Sequence, residues 1–512
     1  MLLNPTFLKL NKMPLLMVLL SVLCYWAFAY DLLRTDYLKL ITLYTVLFVL
    51  FYILVQRFKS NTQFLTYLAF GFRAIFILAI PNLSQDFYRF IWDGRMILEG
   101  INPYLFTVDW FISQGEFPVA EAQALREGMG DLNAGHFTNY PPINQLFFSI
   151  AALFAGKSIL GSIFVIRLLI IAADFGTLHF GKKLLEKLNI PVYNIFWYIL
   201  NPFIIIELTG NLHFEGVMIF FLVWSLYLLY MGKWQFAALV LALSISVKLI
   251  PLIFLPLFFQ WFVFGGSKTV EKTPLKSPQW DNDNGIANEV WQSASTDEIA
   301  SLRLRSVQAK PAPRNDVKKV STALNLTRLV GFYVIVIITT LLLFAPFYSS
   351  EFINNYSKTV ALWFQNFEFN GSMYYIAREI GYLFRGYNEI AIIGTVTPIL
   401  VILFVIIITF FRRNKTPIEL ITAMLLVLSF YYFTTTTVHP WYVATLLFLS
   451  VFTKYKFPLV WSFVIILSYL AYINLNKADK SENLWVIALE YAVVYGVFIW
   501  EVFIKKAPIK EA

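Results

Sequence analysis

The chain has 512 residues, which in a water-soluble protein would divide among about three domains. Composition excludes that class: 59% of the residues are hydrophobic and 14% charged, against roughly 45–50% and ~25% in an ordinary globular chain. The net charge of +9 is modest and gives no reason to invoke nucleic acid, because a membrane protein uses its basic residues to fix loops on the cytoplasmic side.

Apolar runs recur from end to end, at roughly 13–30, 38–56, 64–80, 159–180, 191–209, 216–232, 234–250, 251–265, 329–347, 390–411, 416–433, 440–453, 457–474 and 485–504. They predict an all-α polytopic integral membrane protein with about 14 transmembrane helices. The first run follows Lys9 and Lys12 and carries the small-x-small pattern Ala27-Phe28-Ala29 of a cleaved signal peptide. More spans follow at once, so a signal anchor is the reading adopted. Cys24, the single cysteine, lies within this run and leaves no intrachain disulfide or thiolate metal site. Leu23 before it is too large for a lipoprotein signal.

Basic clusters at Arg57/Lys59, Lys182/Lys183/Lys187, Lys233, Arg412/Arg413/Lys415, Lys454/Lys456 and Lys505/Lys506 are assigned to the cytoplasm. The alternation closes if the short stretch Ile143 to Ala155 does not cross and is a re-entrant or juxtamembrane helix. Segment 81–142 then forms a large first extracytoplasmic loop, with acidic Asp86, Asp93, Glu99, Asp109, Glu116, Glu121, Glu127 and Asp131 and basic Arg89, Arg95 and Arg126. His136, His213 and His439 fall on the same side. Segment 266–327, polar and mixed in charge with Pro274, Pro278, Pro311 and Pro313, reads as a disordered cytoplasmic linker. It separates an N-terminal membrane module (1–265) from a C-terminal one (328–512).

Familiar phosphate and metal motifs fail. Ala155-Gly156-Lys157-Ser158 has the end of a P-loop, but Ala151 stands where the first glycine is needed. Asp281-Asn282-Asp283 has the two-carboxylate spacing of soluble sugar-nucleotide transferases but lies in the linker. No Gly-x-Gly-x-x-Gly occurs and no histidine pair has helical zinc spacing. The expectation is therefore no cofactor and no divalent metal.

The informative stretch is Ser84-Gln85-Asp86-Phe87-Tyr88-Arg89-Phe90-Ile91-Trp92-Asp93-Gly94-Arg95, which reads as a short helix opened by Pro81 and a capping Ser84 and closed by Gly100 and Pro103. Asp86, Arg89 and Asp93, at i, i+3 and i+7, share one face just outside the bilayer. A purely structural account is an interfacial helix with an Asp–Arg–Asp ladder and an aromatic anchor at headgroup level. Further polar groups emerge on the same side: Glu207 to Glu215 with His213, then Lys248 within an apolar run, then Thr434 to Tyr442 with His439. A charge inside an apolar run is costly and by default functional, although Lys248 snorkelling to the headgroups is the alternative.

At these residues the chain resembles the polytopic GT-C glycosyltransferases, most closely the bacterial mannosyltransferases that use a polyprenyl-phosphate-mannose donor. The matching features run from about Phe64 to Trp441 and include Gln85 to Arg89, Trp92 to Arg95, Gly100 to Tyr104, Tyr140-Pro141-Pro142, Asn201-Pro202, Gly210 to Gly216, Val247 to Pro251 and His439 to Tyr442. The turn that often reads Gly-His-Asn-Asp in relatives is Asn211-Leu-His213-Phe-Glu215 here, which leaves the acidic partner open.

The resemblance implies an inverting transfer of a hexose, mannose first, to a lipid or glycan acceptor on the extracytoplasmic face of a bacterial inner membrane. It carries the role of catalytic base to Asp86. Lys248, Arg89 or Arg95 would then face the lipid phosphate, with His439 donating a hydrogen bond, and Asp93, His213, Glu215 and Tyr442 would complete the substrate site. A lipid-linked-sugar flippase or transporter and an O-antigen-type polymerase or ligase remain open. A transporter should place its charges near the bilayer midplane in broken helices, and a ligase should carry its large outer loop late in the chain.

Overall fold

The computed structural model describes residues 12–265, 314–365, 367–476 and 482–505. Residues 266–313 of the expected linker, with Asp281-Asn282-Asp283, lie outside the described residues. Residues 314–327 form the first turns of a long helix, Arg314–Phe344, that leads into the next apolar run.

Among the described residues the chain is helical, with one isolated bridge between Phe369 and Thr437. All the apolar runs fold as helices, as an apolar segment in lipid must, because its backbone groups find no water to bond. Among the described residues seven helices are long and apolar enough to cross a bilayer, and the bent pair Val192–Ile199 and Pro202–Gly210 makes an eighth if it is one span. The others are shorter, among them Trp234–Ile245 and Ile250–Gly265, so length does not establish the expected count of about 14. Proline explains part of this: Pro251 and Pro256 force residues 250–257 into a 3₁₀ helix, since neither can donate an α-helical hydrogen bond.

The basic clusters meet at one end of the bundle. Lys182 Nζ donates to Thr66 at 3.3 Å, and Tyr230 donates to the Lys187 carbonyl at 3.0 Å. Gln260 donates to the carbonyl of Arg412 at 2.7 Å, and the carboxylate of Glu501 accepts from the Lys456 amide at 2.6 Å. The loops assigned to the other side meet at the opposite end, around a cavity.

Helix Pro142–Ala155 does not cross. Its first turn is pinned to the cavity-end turn by Ile143 N–H to Ser246 O (3.0 Å) and Asn144 Nδ2 to Val247 O (2.7 Å). Beyond its last turn, Lys157 O accepts from Arg95 Nη2 at 2.9 Å. Both ends thus bond to the same face of the bundle, and the helix lies along Asp86–Leu98. The two approach so closely at Gly94 that a Cβ there would sit 2.2 Å from Phe148 O.

The bend in Val192–Gly210 measures 49°. Pro202 cannot donate, and the Phe203 amide is diverted to Asn201 Oδ1 at 2.9 Å, so the carbonyl of Ile199 loses its helical donor. Arg73 supplies one, with Nη1 2.7 Å from Ile199 O while its Nε pairs with Asp174 at 2.7 Å. Below the bend the chain winds into a π-helical turn, Ile205–Gly210, whose terminal carbonyls, Thr209 and Gly210, accept from Arg167 at 2.9 and 3.0 Å. Residues 195–219 are buried throughout. Burial differs widely among the long helices: 67% of the span window in Pro417–Thr434 is buried, against 17% in Leu324–Phe347.

Ser113 and Ser60 are exposed at opposite ends of the bundle. In a Cys24→Ser background, Ser113→Cys and Ser60→Cys should therefore react with an impermeant thiol reagent from opposite faces of sealed vesicles, Ser113→Cys from the outside. Labelling of both from one face would overturn the alternation of spans.

Candidate active site

The helix expected near the bilayer surface is Asp86–Leu98. Ser84 takes part in its start, its hydroxyl accepting the Asp86 amide at 3.3 Å, while Gln85 occupies the cap position without a side-chain bond. Hydrophobic packing fixes the helix in place. Phe90 stacks on Phe148 at 4.7 Å and meets Phe214 edge-on at 5.5 Å, joining the loop helices to the span-connecting turn. Trp92 is fully buried and donates to Met96 Sδ, so it packs within the loop core rather than anchoring at headgroups.

The expected ladder has one rung. Arg89 Nε pairs with Asp93 Oδ1 at 2.7 Å, both side chains buried, and Arg89 Nη1 also holds the carbonyls of Asn133 and His136 at 3.0 and 2.9 Å. Asp93 accepts a further bond from Gln145 at 3.2 Å. Asp86 stands apart. Its carboxylate accepts from Asn133 Nδ2 at 3.3 Å, and among the described residues no cation lies within ion-pair distance. Half-buried at the positive end of the helix, it keeps acceptor capacity directed at the cavity.

That cavity encloses about 860 Å³ at the end of the bundle opposite the basic clusters, a size typical of ligand sites. Asp86, Arg89, Glu215, Lys248, His439 and Tyr442 all line it. Lys248 does not snorkel away. It occupies the break between Trp234–Ile245 and Ile250–Leu257 and pairs with Glu215 at 2.6 Å, its ammonium 5.9 Å from the Tyr442 ring. Next to it the lining turns apolar, with Leu249, Ile250 and Ile253 facing Pro398, Val401 and Ile402 of helix Ile390–Phe411.

Three sequence-derived candidates are not in the lining. Arg95 bonds Ala120 O, Lys157 O at 2.9 Å and Glu121 at 3.4 Å, tying loop ends together. Asp93 is the buried counter-charge of Arg89. His213 lies behind Trp441, stacked on it at 3.7 Å, with Nδ1 2.9 Å from Glu207 O. These groups build the site from outside it. His439 also stacks on Trp441, at 4.6 Å, but on the cavity side. Burial, together with nearby His213 and Lys248, pushes its imidazole pKa down to about 3, so it is neutral at pH 7 and carries one ring N–H.

Arg34, Glu368, Phe369, Tyr472 and Glu482 also line the cavity, and no sequence motif marks them. Arg34 was legible in part, as a basic residue in the short outer loop between the first two runs. Phe369, Glu368 and Glu482 sit in loops without a motif, and only tertiary folding brings them in. Among the described residues no group of three or more His, Cys, Asp or Glu is arranged to hold a metal ion.

Residues 18–264 match the family model of the alpha-(1->6)-mannopyranosyltransferase N-terminal domain. The chain is also 22% identical over 186 residues to Alpha-(1->6)-mannopyranosyltransferase A of Mycobacterium tuberculosis, covering 36% of this chain and 34% of that protein. The aligned region is thus about a third of the relative's length. The resemblance to bacterial GT-C mannosyltransferases is shown on the N-terminal half, beginning before Phe64 and ending short of Trp441. Asp86, Arg89, Glu215 and Lys248 fall within the matched residues, whereas His439 and Tyr442 do not.

His439 gives the site a defined response to pH. Its pKa is lower in the folded protein than the ~6.5 of a free imidazole, so the unfolded chain binds the proton more readily. The stabilisation is present above about pH 6.5 and is lost as pH falls toward the folded value. The thermal midpoint of the protein in detergent should therefore drop more between pH 7 and 5 than that of His439→Asn. Parallel curves would show that the fold does not hold this imidazole neutral.

Proposed function

We propose that the protein transfers a hexose, mannose as in the names of its relatives, from a polyprenyl-phosphate donor to a glycan or glycolipid acceptor at the extracytoplasmic face. The observation that carries this reading is the position of Asp86: a carboxylate without a cationic partner among the described residues, in the wall of a large cavity whose Lys248 edge continues into an apolar groove. A lipid phosphate needs a cation at the mouth of such a groove, and Lys248 is in that place. Glu215 holds the lysine, leaving other ammonium hydrogens for phosphate oxygens.

The proposed chemistry balances as a single displacement. Asp86 takes the proton of the acceptor hydroxyl as that oxygen bonds the anomeric carbon. The bond from that carbon to the phosphate oxygen breaks on the opposite face, and its electron pair leaves with the lipid monophosphate beside Lys248. His439 is placed to donate one hydrogen bond in the same cavity, and configuration inverts. The relatives' names specify an α-(1→6) mannose linkage, which is the linkage to test first.

A transporter would share the broken helix and the buried charges of Arg73, Arg167 and Asp174. None of these lines the cavity, and all three are bonded to backbone or to each other. They serve the fold of the site and not a path through it.

Asp86→Asn keeps the shape of the side chain and removes the base, so transfer from a polyprenyl-phosphate sugar should fall ~10²-fold or more while the protein stays monodisperse. Asp93→Asn should behave in the opposite sense. It leaves Arg89 buried without its counter-charge, and losses of ~3–5 kcal/mol are typical when one partner of a buried pair is removed. Near-normal turnover by folded Asp86→Asn would exclude Asp86 as the base. With the purified wild-type protein, a nucleotide sugar in place of the lipid donor should give no transfer, and robust transfer would reject the donor assignment.

A further inference from the structure

The cavity has two chemically different ends, and a row of rings connects them. From Lys248 the contacts run to Tyr442 at 5.9 Å, then to His439 at 5.4 Å, Phe369 at 5.1 Å and Tyr472 at 6.2 Å, and Arg34 closes the row 4.3 Å over the Tyr472 ring. Five successive contacts thus separate the two cations. Asp86 lines the same cavity as both cations.

Only the Lys248 end adjoins the apolar groove. The Arg34 end is walled by Tyr472, Phe369 and two carboxylates, Glu368 and Glu482. Both are held in position: Glu368 by Arg378 at 2.8 Å, and Glu482 by the Asn370 amide at 3.0 Å and the Tyr375 hydroxyl. Fixed carboxylates that keep acceptor capacity, beside flat aromatic faces, disfavour an anionic phosphate and suit a neutral molecule with many hydroxyls. An aromatic face covers the C–H face of a sugar ring, while the carboxylates and the guanidinium bond its equatorial hydroxyls.

We infer that Tyr472, Phe369, Glu482 and Arg34 form the acceptor subsite, which takes a neutral hexose unit of a glycan, while the lipid phosphate binds only at the Lys248 end. This rests on the transferase reading above and assigns it a direction: acceptor hydroxyl from the Arg34 side, leaving phosphate toward Lys248, with Asp86 as the base. The subsite lies largely beyond the residues matched by the family model, in segments around 369, 472 and 482.

The test separates acceptor from donor. With purified protein, a polyprenyl-phosphate mannose donor and an α-linked mannose oligosaccharide as acceptor, two rates are measured: transfer to the sugar and slow transfer to water. Tyr472→Ala and Glu482→Gln should raise the KM for the oligosaccharide ~10-fold or more and leave both the donor KM and the rate of transfer to water near wild type. Tyr472→Phe, which keeps the ring, should stay within a few-fold of wild type, whereas Lys248→Met should raise the donor KM instead. Unchanged acceptor KM in folded Tyr472→Ala and Glu482→Gln, or a rise in donor KM matching that of acceptor KM, would overturn the assignment. If wild-type protein consumes no lipid donor with either acceptor, the transferase reading itself fails, an outcome distinct from failure of the subsite.

Discussion

The site depends on two arginines that supply hydrogen bonds to a helix that proline has broken. In hydrocarbon a carbonyl without a donor costs several kcal/mol, so the kink at Asn201-Pro202 is tolerable only with an internal substitute. Arg73 reaches Ile199 O and Arg167 reaches Thr209 O and Gly210 O, and a fourth bond runs from Arg167 to Ile77 O at 2.9 Å, beside the segment that leads to Asp86. Asp174 neutralises Arg73 at 2.7 Å, which makes its burial affordable. The bend and the π-helical turn then deliver Glu215 to the cavity wall and set Glu207 and His213 behind it.

From there the positions of the working groups follow by contact. Glu215 fixes Lys248; His213 backs Trp441, which in turn carries His439; and Phe214 packs under Phe90 of the Asp86 helix. Charges that must not wander are paired and buried, as Arg89 is with Asp93. Asp86, the group proposed to change protonation during turnover, is left with a single amide donor. The separation is physically sensible: a carboxylate already paired with a guanidinium is a poor base, because the ion pair stabilises the charged form that must accept the proton.

Under the proposed function, one cavity would serve two dissimilar substrates. A polyprenyl chain requires apolar walls open toward lipid, which the short irregular helix Ile250–Leu257 and helix Ile390–Phe411 supply next to Lys248. A glycan requires fixed polar groups and ring faces, which come from late loops at the other end. Breaks in helices, unfavourable on their own, are what allow polar loops to dip into the apolar layer at this point.

The sequence by itself determined the membrane class, the helical runs, the meeting of the polar loops at one end of the bundle and the short helix with Asp86. These follow from hydropathy, basic-residue bias and proline and glycine positions, all of which act over a few residues. The same local signals could not distinguish Asp86 from Asp93, which helical spacing places on one face, or Arg89 from Arg95, since only packing against elements such as helix 142–155, close at Gly94, decides which side chains are covered. Nor could they join Arg34 to Tyr472, which are separated by most of the chain, or assign Glu482 to the cavity. Those placements were decided by tertiary structure, because a buried charge is held by partners that folding brings from distant segments, and such partners leave no spacing in the sequence to read.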